Sequence, residues 1–228
     1  MRPSAVPVYN ITDAARFIKT EPEDLRRWFE GYEAGGRYYP PVLAAPTERP
    51  LGRIALSFEN LIEAASLVIF RTQRISLQKI RLAHDLAVQE YGEHPFARHD
   101  VFYSGQDIFM RADDESTAKD RPFITLTKSG QRSWAEVIQV HLRRVEWRDQ
   151  WPVAWYPRTR ASEGGVKVVR LDPQVAYGLP AVRGVRTDVV FERFEAGDSI
   201  RFLTKDFGLT SRDIEEALRW EASLRRAA

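Results

Sequence analysis

The side chains best equipped for chemistry are few. The chain has no cysteine, and its histidines are His84, His94, His99 and His141. Without thiols there are no disulfides, thiolate metal sites or cysteine nucleophiles. His94 and His99 lie five apart in a loop-like stretch and can approach each other. A metal ion needs more donors than these, and Asp100 alone is a poor supplement. The carboxylate runs Asp113-Asp114-Glu115 and Glu215-Glu216 read as a polar loop and a helix face, where solvated charge is the default. No phosphate-binding GxxxxGKS/T, dinucleotide-binding GxGxxG, zinc-binding HExxH or nucleophile-elbow GxSxG is present. No catalytic residue, metal or cofactor is therefore expected. Arginines remain. Arg26 and Arg27 sit beside Leu25, Trp28 and Phe29, so a helix that turns the apolar residues inward leaves an arginine face outward. Such an arginine grips phosphates or reads guanine bidentately. Arg37 and Tyr38, in the following loop, suit a wing against DNA. Arg183, Gly184 and Arg186 form a second set. Gly178, Pro180 and Gly184 shape a loop that presents both arginines, either to an acidic partner or phosphate, or to local carboxylates that pin the loop.

Particular elements must hold these residues. Thr12-Asp13 starts one short helix, and Thr20-Glu21-Pro22-Glu23 starts a second that carries Arg26 and Arg27. Two short helices across a tight turn outline a helix-turn-helix. The stretch 31–52, with Gly35-Gly36 and Pro40-Pro41, is a loop or hairpin. Ser57 caps a helix with Phe58, Leu61, Ile62, Ala65, Val68 and Ile69 on one face. Ser76 caps another with Leu77, Ile80, Ala83, Ala87 and Tyr91 aligned, and Gly92 stops it. Val101-Phe102-Tyr103 and Ile108-Phe109-Met110 flank a hairpin turn, and 123–127 is a strand. Ser133-Trp134-Ala135-Glu136 has capping-box spacing and predicts a short helix through Val137, Ile138, His141 and Leu142. Val145-Glu146-Trp147 and Val153-Ala154-Trp155-Tyr156 read as a strand pair. The polar stretch 112–121 reads as mobile and 157–165 as a linker. Three helices follow, near 187–195, 199–207 and 211–224. The central aromatics Phe102, Tyr103, Phe109, Trp134, Trp147, Trp151 and Trp155 are core by default.

Lysine plus arginine total 34 against 32 acidic residues, a net charge of +2. Segment by segment the balance stays flat: 12 basic and 12 acidic residues through Phe96, 11 and 10 from Ala97 to Gly165, and 11 and 10 beyond. DNA binding would therefore rest on a few placed arginines, not on bulk attraction. No run approaches the roughly 18 apolar residues of a membrane span. The first ten residues lack the apolar core of a signal peptide, so a cytoplasmic protein is expected.

Two stretches resemble known families. Tyr9-x-x-x-Asp13-Ala14-Ala15-Arg16, Leu25-Arg26-Arg27-Trp28-Phe29, and the run from Leu56 to Leu61 through Ile75-Ser76-Leu77-Gln78-Lys79-Ile80-Arg81 resemble the MerR-like winged helix. That resemblance adds Arg16 to Arg26, Arg27, Arg37 and Tyr38 as DNA-binding candidates. Gly178-x-Pro180-Ala181-Val182-Arg183-Gly184-Val185-Arg186-Thr187-Asp188-Val189 resembles the signature of a small antitoxin-like family catalogued as a domain of unknown function, with Val185 where that family usually has threonine. The likeness continues through 191–199 and 208–218. Together the two resemble a VapB-type antitoxin of a type II toxin–antitoxin pair. The resemblance implies a homodimeric, non-enzymatic protein that masks a PIN-type ribonuclease toxin and binds operator DNA to repress its own operon. The other reading is a MerR-like regulator with a small-ligand pocket in the middle segment. The expected fold is α+β: a winged helix over 1–96, a mixed dimerisation or linker region over 97–165, and a three-helix module over 166–228.

Overall fold

The computed structural model describes residues 2–45, 53–98, 101–104, 107–111, 123–126, 131–133, 138–139, 144–157, 159–160 and 166–226. It is a mixed helix-and-strand protein, with seven α-helices and several small antiparallel sheets among the described residues. A short strand β1 (Pro7–Asn10) pairs antiparallel with β4 (Ala55–Ser57). Between them lie α1 (Ile11–Ile18), α2 (Pro22–Glu30), β2 (Tyr32–Ala34) and β3 (Arg37–Tyr39). The start of α1 is fixed by Asn10, whose side chain accepts from the Asp13 backbone N–H at 2.8 Å. The helix therefore begins at Ile11, one residue before the predicted Thr12 start. Lys19 closes the helix in the left-handed region at φ 59°. Thr20 does not cap α2. Its backbone N–H is turned back to the Ala15 carbonyl, so Glu21 holds the cap position without a side-chain bond and Pro22 begins the first turn.

The centre of the molecule is α3 (Phe58–Thr72), opened by a capping box between Ser57 and Asn60. Every residue from Phe58 to Leu67 is buried, so this helix has no polar outer face over its first half. Then α4 (Leu77–Tyr91) runs from its Ser76 cap to Gly92, where φ is 79°. Its predicted inward residues Ile80, Ala83 and Ala87 are in the core.

The middle segment is strand-rich. A five-stranded antiparallel sheet has the order β8-β7-β6-β5-β9, from Gln131–Ser133, Phe123–Thr125, Asp107–Arg111, Val101–Ser104 and Ile138–Gln139. The helix predicted from Ser133 is absent where it is described. Ser133 ends β8, and Ile138–Gln139 pairs with Phe102 and Tyr103 of β5. The β-branched run Val137-Ile138 and Val140 favours a strand once an edge is available to pair with. Trp134, His99, Asp100, His141 and the stretch 112–121 lie outside the described residues, as do the side chains of Phe102, Tyr103 and Phe109. The hairpin β10 (Val145–Arg148) and β11 (Trp151–Trp155) follows, with Trp155 buried. Within the predicted linker, β12 (Thr159–Arg160) pairs with β13 (Val166–Lys167). The C-terminal part contains the hairpin β14 (Ala181–Val182) and β15 (Val185–Arg186), then α5 (Thr187–Glu195), α6 (Ile200–Phe207) and α7 (Ser211–Arg225).

The helices at the two ends of the chain share one hydrophobic core. The Phe17 and Trp220 rings are 6.4 Å apart, and the Tyr9 hydroxyl donates to the Gly178 carbonyl at 2.9 Å. Gly178 has φ of 78°, and a Cβ there would stand 2.5 Å from the Tyr9 oxygen, so only glycine permits this approach. Among the described residues, no helix is long and apolar enough to cross a membrane.

Candidate functional site

The predicted arginine face exists. Helix α2 buries Leu25, Trp28 and Phe29 and leaves Arg26 and Arg27 exposed, as a 3.6-residue period requires. Gly31, at φ 76°, then folds the β2–β3 hairpin back on the helix so closely that a Cβ would lie 2.6 Å from the Tyr39 carbonyl oxygen. The Tyr38 hydroxyl donates to the Glu30 carbonyl at 3.3 Å while most of the ring faces solvent. Tyr32 and Tyr39 stack at 4.9 Å, and Arg37 lies over Tyr39 at 5.4 Å. The hairpin is anchored on its far side. The Trp28 carbonyl accepts from the backbone N–H groups of Val42 and Leu43, and Arg81 of α4 donates to the Pro40 carbonyl at 2.8 Å.

The five candidate residues are not equally placed to meet phosphate. Arg27 is 3.4 Å from Glu23 and 3.9 Å from Asp24, and it also lies over Tyr32. Exposed i,i+4 and i,i+3 pairs of this kind are worth only about 0.3–0.5 kcal/mol, so a phosphate can replace them. Arg26 lines a cleft with Asn10, Thr12, Glu30 and Arg53. Arg16 stands apart from them. It is half-buried, 3.9 Å from Asp13, and lines a separate cleft between α1 and α7 with Lys19, Ser223 and Arg226.

The second predicted set is engaged locally. Arg183 and Gly184, at φ 49° and 88°, form the two-residue turn of the β14–β15 hairpin. The Arg183 Nε is 3.0 Å from Asp213, the residue that also completes the capping box of α7 with Thr210. Arg186 makes a two-point ion pair with Asp188 in the first turn of α5, with its Nε donating at 3.0 Å. The two guanidinium groups therefore hold separate carboxylates rather than forming one fork.

A charged cluster not singled out in the sequence lies under α3. Glu59 and Glu63 are fully buried, one helical turn apart. Arg2 grips Glu59 through Nε at 2.9 Å and Nη2 at 3.2 Å, and the Ser4 hydroxyl donates to it at 2.7 Å. His94 Nδ1 is 2.9 Å from Glu63, and His94 Nε2 is 3.9 Å from Glu59. His84 Nε2 is 3.4 Å from Glu63, which also accepts the Phe96 backbone N–H at 3.1 Å. The groups run as a chain: His84, Glu63, His94, Glu59, Arg2. Among the described residues, no group of three or more His, Asp or Glu is arranged to hold a metal ion. Burial opposes ionisation of Glu63, but hydrogen bonds and attraction from His84 and His94 outweigh it and draw its pKa from 4.5 to about 2. Burial likewise opposes a charge on His94, but the hydrogen bond it donates to Glu63 and the charges of Glu63, Glu59 and Glu93 raise its pKa overall. The sequence signal was two glutamates four apart inside an apolar helix. His94 reaches back to α3, and His99, with which its spacing pairs it, lies outside the described residues.

Residues 169–220 match a family described as "Protein of unknown function (DUF433)", the region that carries β14, β15 and most of the three C-terminal helices. The chain is 27% identical over 225 residues to the Mycobacterium tuberculosis protein named "Putative antitoxin VapB45", covering 93% of each. It is 21% identical over 231 residues to "Uncharacterized protein Rv2308" of the same organism, covering 96% of this chain and 92% of that one. The X-ray crystal structure of Rv2018 from Mycobacterium tuberculosis matches with a TM-score of 0.64 at 23% identity, over 93% of this chain and 98% of that one. That likeness extends the shared fold across nearly the whole molecule.

Proposed function

We propose that the chain is the antitoxin of a toxin–antitoxin pair. It neutralises a PIN-type ribonuclease toxin and represses its own operon by binding DNA, without catalytic activity of its own. The observation that carries this reading is the near full-length similarity to a protein named as an antitoxin. The arginine-bearing α2 and the tyrosine-arginine hairpin beside it support the DNA half. In this reading α2 enters the major groove, Arg26 and Arg27 contact phosphates or guanine edges, and Arg37 and Tyr38 meet the flanking backbone as a wing. A homodimer places two such units on a palindromic operator. Arg183 and Arg186 are assigned to holding the hairpin on α7 and α5, because both already have carboxylate partners.

Fluorescence anisotropy with the promoter DNA of its own gene tests the DNA half. Affinity should fall steeply with rising salt, and Arg26→Ala with Arg27→Ala should weaken it by at least tenfold at fixed salt. Salt-independent binding, or an unchanged double variant, removes α2 from the interface. Co-expression with the product of the adjacent reading frame tests the partner half, with a complex stable through size-exclusion chromatography as the expected result.

A further inference from the structure

Between α4 and the strand-rich middle segment the chain forms a strap, residues 93–98, laid against α3. It contains the short helical turn Pro95–Ala97, and Phe96 is completely buried. The Phe96 ring meets Phe70 at 5.3 Å and His84 at 5.1 Å. Helix α3 holds the strap backbone at two points. The Phe96 N–H donates to Glu63 at 3.1 Å, and the Phe96 carbonyl accepts from the Ser66 hydroxyl at 3.0 Å.

The local backbone does not favour this path. His94 is left-handed, with φ 53° and ψ 48°, although the residue before a proline prefers extended backbone. Strain of this kind at a non-glycine residue persists only where the surroundings enforce it, and it collects at switch regions. Here the His94 side chain provides the hold. Its Nδ1 lies 2.9 Å from Glu63 and its Nε2 3.9 Å from Glu59. Both ring nitrogens face carboxylates, which suits the imidazolium, because that form carries a proton on each nitrogen. A neutral ring turns a lone pair toward one of the two.

The other charged groups around His94 point the same way. Arg2 pairs with Glu59, so Glu63 is the carboxylate still in want of a cation. His84 of α4 stands 3.4 Å from Glu63, but its Nε2 makes no hydrogen bond among the described residues. On the strap itself, Glu93 adds to the attraction for a proton on His94, and Arg98 donates to the Tyr91 carbonyl at 3.0 Å. The His94 side chain is 16% exposed, which gives water access to its proton.

We propose that His94 is a proton-operated latch: as the imidazolium it fastens residues 93–98 to α3, and on losing its proton it releases them while α3 and α4 stay folded. The strap leads in sequence into β5, so the latch governs how the middle segment is tied to the helical part.

The test is amide hydrogen exchange of the full chain from pH 6 to 9, expressed as protection factors to remove the intrinsic pH dependence of exchange. Above the ordinary histidine value the closed strap holds one proton more than the open strap. Protection at Phe96 should therefore fall as pH rises above about 6.5, by up to about tenfold per pH unit, until the folded value of His94 is passed. By pH 8.5 it should lie at least tenfold below that of Ala217, buried in α7. His94→Gln keeps a donor for Glu63 but cannot carry the charge. Its Phe96 protection should be low already at pH 6 and show no step. Constant protection at Phe96 in the parent overturns the latch. So does protection that matches Ala217 at every pH, because the strap then opens only when the whole molecule unfolds. A step that survives His94→Gln belongs to another group and also overturns it. The two readings on the parent decide the matter even where the variant fails to fold.

Discussion

Replacing Glu63 with glutamine should remove one of the larger single contributions to stability, and should do so in a pH-dependent way. Glu63 is fully buried against His94, His84 and the Phe96 N–H. Its pKa falls from 4.5 unfolded to about 2 folded. At 1.36 kcal/mol per pKa unit this corresponds to about 3 kcal/mol, the order expected when one member of a buried ion pair is lost. Because the folded value is depressed, this contribution is complete above about pH 4.5 and is lost as pH falls through 2. His94 behaves oppositely. Its folded pKa is raised, so its contribution is complete below about 6.5 and is lost as pH rises through the folded value. The two together put the network's greatest contribution between about pH 4.5 and 6.5. Urea unfolding of the parent and Glu63→Gln from pH 3 to 9 should show a difference of about 3 kcal/mol near pH 5.5. That difference should shrink toward the acid end, and the variant should lose less stability on the alkaline side. A difference below about 1 kcal/mol at pH 5.5, or one constant across the range, refutes the ionic account of this cluster.

Three further perturbations follow from the geometry. Gly178→Ala should cost more than Gly184→Ala in chemical denaturation, by about 1–2 kcal/mol: both have positive φ, but a Cβ at Gly178 meets the Tyr9 hydroxyl at 2.5 Å and one at Gly184 meets open space. Thr210→Ala should lower stability by about 1 kcal/mol through loss of the α7 cap, and equal thermal midpoints would count against that cap. Arg183→Ala should change stability by less than about 1 kcal/mol, because its side chain is 70% exposed despite the Asp213 pair. It should leave toxin affinity intact if the hairpin is structural, as a parallel binding titration would show.

Much of the local structure was legible because its signals are short-range. Ser57 and Ser76 cap helices as their types and spacing predict, and the 3.6 period places Leu25, Trp28 and Phe29 inward, as found. The DUF433 match at 169–220 coincides with the stretch whose glycine, proline and arginine spacing resembled an antitoxin-like module. Where the chain depends on long-range partners, the sequence was less informative. Ile138 joins a sheet because β5 offers it an edge, which no local capping signal reveals. The outward direction of Arg26 follows from helix phase, but the seat of Arg16 beside α7 depends on residues some two hundred positions away. Glu59 and Glu63 carry no local signal that sets them apart from other helix acids. Only the return of Arg2, His84 and His94 to the same helix shows how two carboxylates find partners in the core. The pairing of Arg183 with Asp213 likewise needed the fold of the C-terminal helices.

The most direct test of the antitoxin account is RNA cleavage by the purified product of the adjacent reading frame, measured with and without an equimolar amount of this chain. The account predicts cleavage by the toxin alone and its suppression when the chain is added. Cleavage at an unchanged rate in the presence of the folded chain would contradict it.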